Sequence, residues 1–425
     1  MATQYRRARS YAKKQLRQQR GKNWADHLQP SEAPAPLRIP KGNHVEGLED
    51  RWKLLRPRRP AREELADPAT LGQVETYRHN IENLIGTVKV PVGLAGPLRV
   101  NGLSAHGDYY VPLATTEAAL VASYSRGCQL ITEAGGCAAM VLAEGVSRAP
   151  GFAFRNLIEV GNFVTWVMSQ FKQFQQLAKT TTRHGELVDM KLTVEGNHVY
   201  LSLDYSTGDA AGQNMVTIAT QSICDYIKER SPVAAQYAFV EGNFSGDKKA
   251  TSHSFLTVRG KKATAEVVLP SALVERILRT TPKQLTNYWR ISGIGGVLSG
   301  TLGINGHYAN GLAAIFIACG QDVACVAESA VGMTRFELTE AGDLYACVTL
   351  PNLIVGTVGG GTGLPSQRAC LEILGLAGNR KAAAFAEVCA ALCLAGELSI
   401  GGALCAGDFA RAHKLLARGR KREQT

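Results

Sequence analysis

Nowhere does this 425-residue chain supply ~18 or more consecutive uncharged apolar residues, so no membrane span is expected. Its most apolar tract, Ala382 to Ala406, is broken by Glu387 and Glu397 and reads as a tightly packed buried helix pair. The basic start is not followed by an apolar run, so no signal peptide is expected either. The ten cysteines contain no Cys-x-x-Cys pair, which argues against a zinc site, and no metal is expected. Reduced thiols and a cytoplasmic location follow as expectations. Cys319, Cys325, Cys389 and Cys393 lie in apolar surroundings and read as core packing. The G-x-G-x-x-G fingerprint is missing, so a Rossmann domain is unsupported. No zinc finger, RNA-recognition signature or aromatic–basic interleaving is present, so nucleic acid is not an expected partner.

What the chain does have is a globular balance, with 45% hydrophobic and 20% charged residues. Its length suggests two or three domains. The net charge of +11 is concentrated at the ends. Arg6, Arg7, Arg9, Lys13, Lys14, Arg17, Arg20 and Lys22 precede the first acid, Asp26, and Arg418, Arg420, Lys421 and Arg422 crowd the other end. Solvated terminal segments account for such runs.

Element patterns predict an α+β fold. Residues 1–82 form a basic, mostly helical N-terminal segment, Pro-rich from Pro30 to Pro60. Residues 83–150 and 241–408 form a large central domain, and 409–425 a C-terminal flap helix and basic tail. Between them, 151–240 shows the β-α-β-β-α-β order of a ferredoxin-like insert. There Phe152 to Val160 reads as extended, and Phe163, Trp166, Val167, Phe171 and Phe174 follow helical spacing. Leu187 to Val194 and Val199 to Leu203 are strands joined by a turn, and Met215, Ile218, Ile223 and Ile227 again follow helical spacing. In the central domain, Thr115 or Thr116 is a plausible N-cap, which places Glu117 in a helical first turn. An acid there complements the helix dipole without any other role. Gly356-Thr-Val-Gly-Gly-Gly-Thr362 precedes a helix, and such a loop exposes N–H groups that suit anions.

The chain turns on Val240 to Lys249, where Gly242 and Gly246 flank a polar loop that ends in Asp247, Lys248 and Lys249. Glycine permits close backbone approach and positive φ, so this is a shaped loop. A lysine held beside an aspartate can stabilise negative charge on a reacting oxygen. A solvated turn with surface lysines is the plainer alternative.

Several segments, in order and in register, resemble 3-hydroxy-3-methylglutaryl-CoA reductase. They are Glu82-Asn-Leu-Ile-Gly, Pro91-Val-Gly-Leu-Ala-Gly-Pro, Ala114-Thr-Thr-Glu-Ala, Gly208-Asp-Ala-Ala-Gly-Gln-Asn-Met215, Asp247-Lys-Lys, Cys319-Gly-Gln-Asp322 and the Gly356 loop. The resemblance spans about residues 45 to 416 and looks more like the eukaryotic and archaeal class, its catalytic portion alone without a membrane anchor. It implies NADPH-dependent four-electron reduction of 3-hydroxy-3-methylglutaryl-CoA to mevalonate and coenzyme A. It also implies catalytic roles for Glu117, Lys248, Asp322 and His413. Lysine would stabilise the oxyanion and histidine would protonate the departing thiolate. Glu117 would serve as an acid tuned by Asp322, a role that opposes the dipole reading.

By the same resemblance Thr182, Arg183, Asp209, Gly212, Asn214, Gln321, Gly359 and Thr362 face NADPH, with Arg183 on its extra phosphate. Ser123, Ser125 and Arg126 lie near coenzyme A, and Arg148, Lys249, Arg290, His307 and Asn310 near the acyl group. Sites shared between subunits imply a homodimer or homotetramer. Two positions depart, Glu241 for the usual serine and Arg290 for the usual lysine. A carboxylate at 241 is expected to repel a diacid acyl group. Reduction of another branched acyl-CoA thioester, or an inactive CoA- or nucleotide-binding protein, remain as alternatives.

Overall fold

The computed structural model describes residues 39–42, 44–55, 59–182 and 184–408. The basic N-terminal arm, Arg183 and the terminal segment that carries His413 lie outside the described residues. The chain divides into two compact units, one up to Thr87 and one from Val88.

The first unit is helical, with α1 (Val45–Leu55), α2 (Arg59–Leu65) and α3 (Pro68–Leu71). Asp67 caps α3 by accepting the Thr70 N–H, and Pro68 follows at the first helical position, where its missing N–H costs nothing. Leu48, Trp52, Ala66, Val74 and Leu84 make a small core. Buried Arg51 donates from Nε to the Leu84 carbonyl and from Nη1 to the carbonyls of Pro40 and Gly42.

The second unit opens with the antiparallel strands β1 (Val92–Gly102) and β2 (His106–Ala114), then α4 (Leu120–Glu133). β3 (Cys137–Arg148) and β4 (Gly151–Ala153) follow almost end to end, and then come α5 (Leu157–Ser169) and α6 (Phe171–Thr181). The hairpin β5 (Glu186–Glu195) and β6 (His198–Ser206) leads to α7 (Gln213–Arg230) and β7 (Tyr237–Phe239). The order of this stretch is β-α-α-β-β-α-β. β6 pairs antiparallel with β5 and β4, and β4 with β7. The stretch has its own core, including Phe152, Phe154, Phe163, Phe174, Leu201 and Ile223. The last residues of β3 pair with β6 as well, so the insert's sheet is continuous with the main one. One expectation fails here. Leu157 to Val160 is helical, because Asn156 accepts the N–H groups of Ile158 and Glu159 and starts α5.

β8 (Gly260–Leu269), α8 (Ser271–Leu278), α9 (Pro282–Ser299), β9 (Gly303–Ile304) and α10 (Tyr308–Ala318) come next. They precede α11 (Val326–Ser329), β10 (Gly332–Leu338), β11 (Leu344–Leu353), α12 (Pro365–Ile373) and α13 (Ala382–Cys405). The strands run β3-β8-β11-β10-β9 across the main sheet. α13 is one helix of 24 residues and not the expected pair. Apolar on all sides, it lies buried against α4, β8, β11 and β3, as a core helix must. Its length and hydropathy would also suit a membrane span, but 83% of its apolar window is buried inside the fold. Its two acids are buried and therefore need partners. Glu387 accepts the N–H groups of Ser104 and Ala105, and Glu397 those of Gly306 and His307. The four cysteines expected in the core are buried, and all ten in the chain are unpaired thiols.

Candidate active site

The Asp247-Lys248-Lys249 loop is held by a chain of alternating charges. Arg148, buried at the end of β3, donates from Nη1 to Asp247 at 3.1 Å and to Glu241 at 3.3 Å. Glu241 also accepts the Ser245 hydroxyl at 2.9 Å. Its charge is thus partly offset within the chain. Burial by itself would push the Asp247 carboxyl up, but the guanidiniums of Arg259 and Arg148 overcome it and hold the group below the ordinary range.

Lys248 follows with φ +56, in the left-handed region that side chains rarely occupy. Its Nζ lies 2.8 Å from Asp322 Oδ2, and that hydrogen bond raises the ammonium pKa, so the cation is kept. Asp322 caps the short turn after α10, where it accepts the Ala324 N–H. Its side chain is therefore fixed from both sides. Lys249 Nζ turns back to the Asp247 carbonyl at 2.8 Å.

Glu117 is not in a helical first turn. α4 starts only at Leu120, after Ala119 at φ +71, so Glu117 stands exposed in the preceding loop. The dipole argument fails with that placement. Its carboxylate accepts Asn310 Nδ2 at 3.1 and 3.3 Å, and its own N–H is held by the Thr115 hydroxyl. Glu117 and Asn310 sit at the start of α10, whereas Lys248 and Asp322 sit beyond its end. The eleven residues between its ends span ~16 Å at 1.5 Å per residue. Among the described residues no hydrogen bond joins Glu117 to Lys248 or Asp322.

His307 stacks on Tyr124, with ring centroids 4.8 Å apart, and is only 7% exposed. Burial pushes its pKa down to about 4, so the imidazole is neutral near pH 7. Its Nε2 has no partner among the described residues. Its main-chain N–H is held by Glu397, itself raised to about 7 by burial.

Three other candidate segments meet at one place. Ala210 bridges Val358, which sets the Gly208 to Met215 turn beside the Gly356 loop. A side chain at Gly356 would strike Ala211 N at 2.5 Å, and one at Gly320 would strike Gly361 O at 2.3 Å. Glycine is required at both by this packing. Gln321 locks the junction, accepting the Gly356 N–H and donating to the carbonyls of Cys319 and Gly356. Gly359 and Thr362 shape the loop, with the Thr362 hydroxyl on the Gly359 carbonyl at 2.6 Å. Gly212 opens α7 at φ +79 with no side-chain cap, next to exposed Asn214. Uncapped N–H groups at the start of an 18-residue helix, beside a glycine loop, fit the phosphates of a dinucleotide. Thr182 donates to the Met215 sulfur at 2.9 Å. The Asp209 carboxylate caps α13 through the N–H groups of Arg380, Lys381 and Ala382.

Ser123 and Arg126 meet Ser399 of α13, with Ser123 Oγ at 2.9 Å and Arg126 Nη2 on the Ser399 carbonyl at 2.6 Å. Ser125 is half-buried on α4, and Arg290 is exposed on α9. A cleft of 570 Å³ lies between Ala250, the Gly296–Asn305 stretch and Ala327. Sequence reasoning missed Arg259 and Glu328, a buried pair under Lys248. A lone acid among the apolar residues around α11 was the available signal.

The hydroxymethylglutaryl-coenzyme A reductase family profile matches residues 47–418. The chain is 45% identical over 352 residues to the 3-hydroxy-3-methylglutaryl-coenzyme A reductase of Pyrococcus horikoshii, covering 81% of this chain and 85% of that one. The enzyme of the same name from Methanocaldococcus jannaschii is 42% identical over 346 residues, covering 80% and 85%. A class II reductase structure from Streptococcus pneumoniae bound to NADPH superposes with a TM-score of 0.64 at 21% identity, covering 84% of this chain and 96% of that one. That last likeness speaks for the fold.

Proposed function

Because this chain belongs to the hydroxymethylglutaryl-coenzyme A reductase family and is an oxidoreductase, we propose that it reduces 3-hydroxy-3-methylglutaryl-CoA to mevalonate and coenzyme A with two NADPH. The observation that carries the site assignment is the Lys248 ammonium, fixed 2.8 Å from Asp322 on a left-handed turn. Bound NADPH supplies the hydrides. Lys248 holds the oxygen on which negative charge develops, and Asp322 keeps Lys248 protonated and aimed. Glu117, steadied by Asn310, delivers a proton to the alkoxide of the second reduction. His413, assigned by sequence resemblance, protonates the departing thiolate. The neutral His307 offers its unpartnered Nε2 to the acyl group.

Gly212, Asn214, Gln321, Gly359 and Thr362 shape the dinucleotide site, with Asp209 acting on it through α13. By sequence resemblance, Thr182 and Arg183 are assigned to the 2′-phosphate of the cofactor. Ser123, Ser125 and Arg126 serve coenzyme A, and Arg148, Lys249 and Arg290 serve the acyl end. The separation of Glu117 from Lys248 by the length of α10 supports a homodimer in which each copy completes the other's site. Ten unpaired thiols support a cytoplasmic location. The test is NADPH oxidation by the purified chain with 3-hydroxy-3-methylglutaryl-CoA, with products identified by mass. Mevalonate at one per two NADPH is expected. Turnover of other branched thioesters but not this one would overturn the substrate assignment.

A further inference from the structure

Glu328 is 0% exposed and Arg259 2% exposed, and they pair at 2.6 Å beneath the catalytic loop. Neither belongs to the residues that would face substrate or cofactor. Their contacts nevertheless converge on one neighbour. Glu328 Oε1 accepts the main-chain N–H of Lys248 at 3.0 Å. Arg259 Nη2 lies 2.8 Å from Oδ1 of Asp247, the residue before it. The pair therefore holds the Lys248 N–H and the side chain of the residue before it, on the N-terminal side of a lysine in left-handed conformation.

The grip is itself anchored. The Arg259 N–H is accepted by Asn352 Oδ1 at 3.0 Å, and Asn352 is fixed by Ser254 Oγ and, through its carbonyl, by Ser329 Oγ. Arg259 immediately precedes β8 and Glu328 lies in α11, so the loop is tied beside the strand and to the helix. A buried ion pair is in general a poor source of stability, since apolar replacements of similar volume serve as well. A non-glycine residue at positive φ persists only where its surroundings over-determine it.

We propose that Arg259 and Glu328 are positioning residues that set the Lys248 turn and so fix where its ammonium stands. The inference rests on the reading of Lys248 as the oxyanion-stabilising group. A structural role alone predicts loss of stability with activity kept in whatever remains folded. A positioning role predicts the reverse.

The discriminating variant is Arg259→Met/Glu328→Met, which replaces the whole pair by apolar chains. It should keep a cooperative thermal transition, with kcat down about 100-fold and KM for NADPH unchanged, since small misplacements of a reacting group carry costs of that size. Glu328→Gln keeps an oxygen for the Lys248 N–H but loses the charge on Arg259, and its kcat should fall less than that of the double variant. A folded double variant with wild-type kcat overturns the proposal. If that variant does not fold, wild-type kcat in Glu328→Gln overturns it instead. Lys248→Ala run alongside separates two failures. Inactive Lys248→Ala with a fully active double variant overturns the pair's role alone. Active Lys248→Ala overturns both that role and the reading of Lys248.

Discussion

Asp209 Oδ2 accepts the Arg380 N–H at 2.6 Å, across 171 residues of sequence, and its Oδ1 takes the N–H groups of Lys381 and Ala382. A residue of the proposed dinucleotide site thus caps the central helix of the fold. The 208–215 turn is tied to α13 by this contact and to the Gly356 loop by the Ala210–Val358 bridge. On the proposed site assignment, cofactor affinity and core stability are coupled at that point.

Asp209→Ala should therefore cost stability as well as cofactor affinity. Loss of an N-cap acceptor is worth about 0.5–2 kcal/mol, read as a lower denaturation midpoint. The sign with pH follows from the shift. Burial would raise the Asp209 carboxyl, but the N–H groups of Arg380, Ala382 and Lys381 overcome it and leave the folded pKa lowered. Its contribution is present above the unfolded value and lost as pH falls through the folded one. The stability gap between wild type and Asp209→Ala should close at acid pH. A gap that widens there would contradict the capping role.

Lys248→Ala should reduce kcat by at least roughly 10²–10³-fold, the cost of removing a single oxyanion donor. Circular dichroism should be unchanged, since the side chain is partly exposed and pairs with Asp322. Lys249→Ala should do less, because Lys249 Nζ is engaged with the Asp247 carbonyl. Equal kinetic losses in the two variants would show that the loop supplies only general positive charge.

Glu241 draws on Arg148, which it shares with Asp247. Glu241→Ser should free that edge of the guanidinium for an acyl carboxylate, and charge-assisted contacts of ~1.5–3 kcal/mol imply about a 10- to 100-fold lower KM for 3-hydroxy-3-methylglutaryl-CoA. Initial rates over a substrate series measure it. An unchanged KM would mean that the acyl carboxylate binds elsewhere, with Arg290 the next candidate.

Much of this was legible in the sequence, for local reasons. The β5–β6 hairpin shows in its alternation around Glu195-Gly-Asn-His198, and the Asp-Lys-Lys loop in its flanking glycines. The four core cysteines show in their apolar neighbours. Other features depend on contacts that no local pattern carries. α9 runs unbroken through Gly293, Gly295 and Gly296, although glycine is a poor helix former. Thr115 and Thr116 looked like caps, but the helix waits until Leu120 and leaves Glu117 free to meet Asn310, 193 residues away. Arg259 and Glu328 are charged and buried, the combination that composition argues against, and only their pairing across 69 residues makes it tolerable.

Glu397 yields the last prediction. Its buried carboxylate accepts the Gly306 and His307 N–H groups and lies 2.8 Å from the Thr334 hydroxyl, yet burial dominates and raises the pKa from 4.5 to about 7. A carboxyl whose folded pKa is raised favours the folded state most at low pH. Its contribution is full below about 4.5 and is lost as pH rises through about 7. Above that, an anion sits in the core beneath the turn that presents His307 and Asn310. Glu397→Gln keeps an oxygen for the two N–H groups and removes the charge. The variant should lose less stability than wild type between pH 5 and pH 8, a window chosen to bracket the raised value of about 7. Thermal midpoints measured across that range decide it, and parallel curves for the two proteins would show that Glu397 does not titrate there.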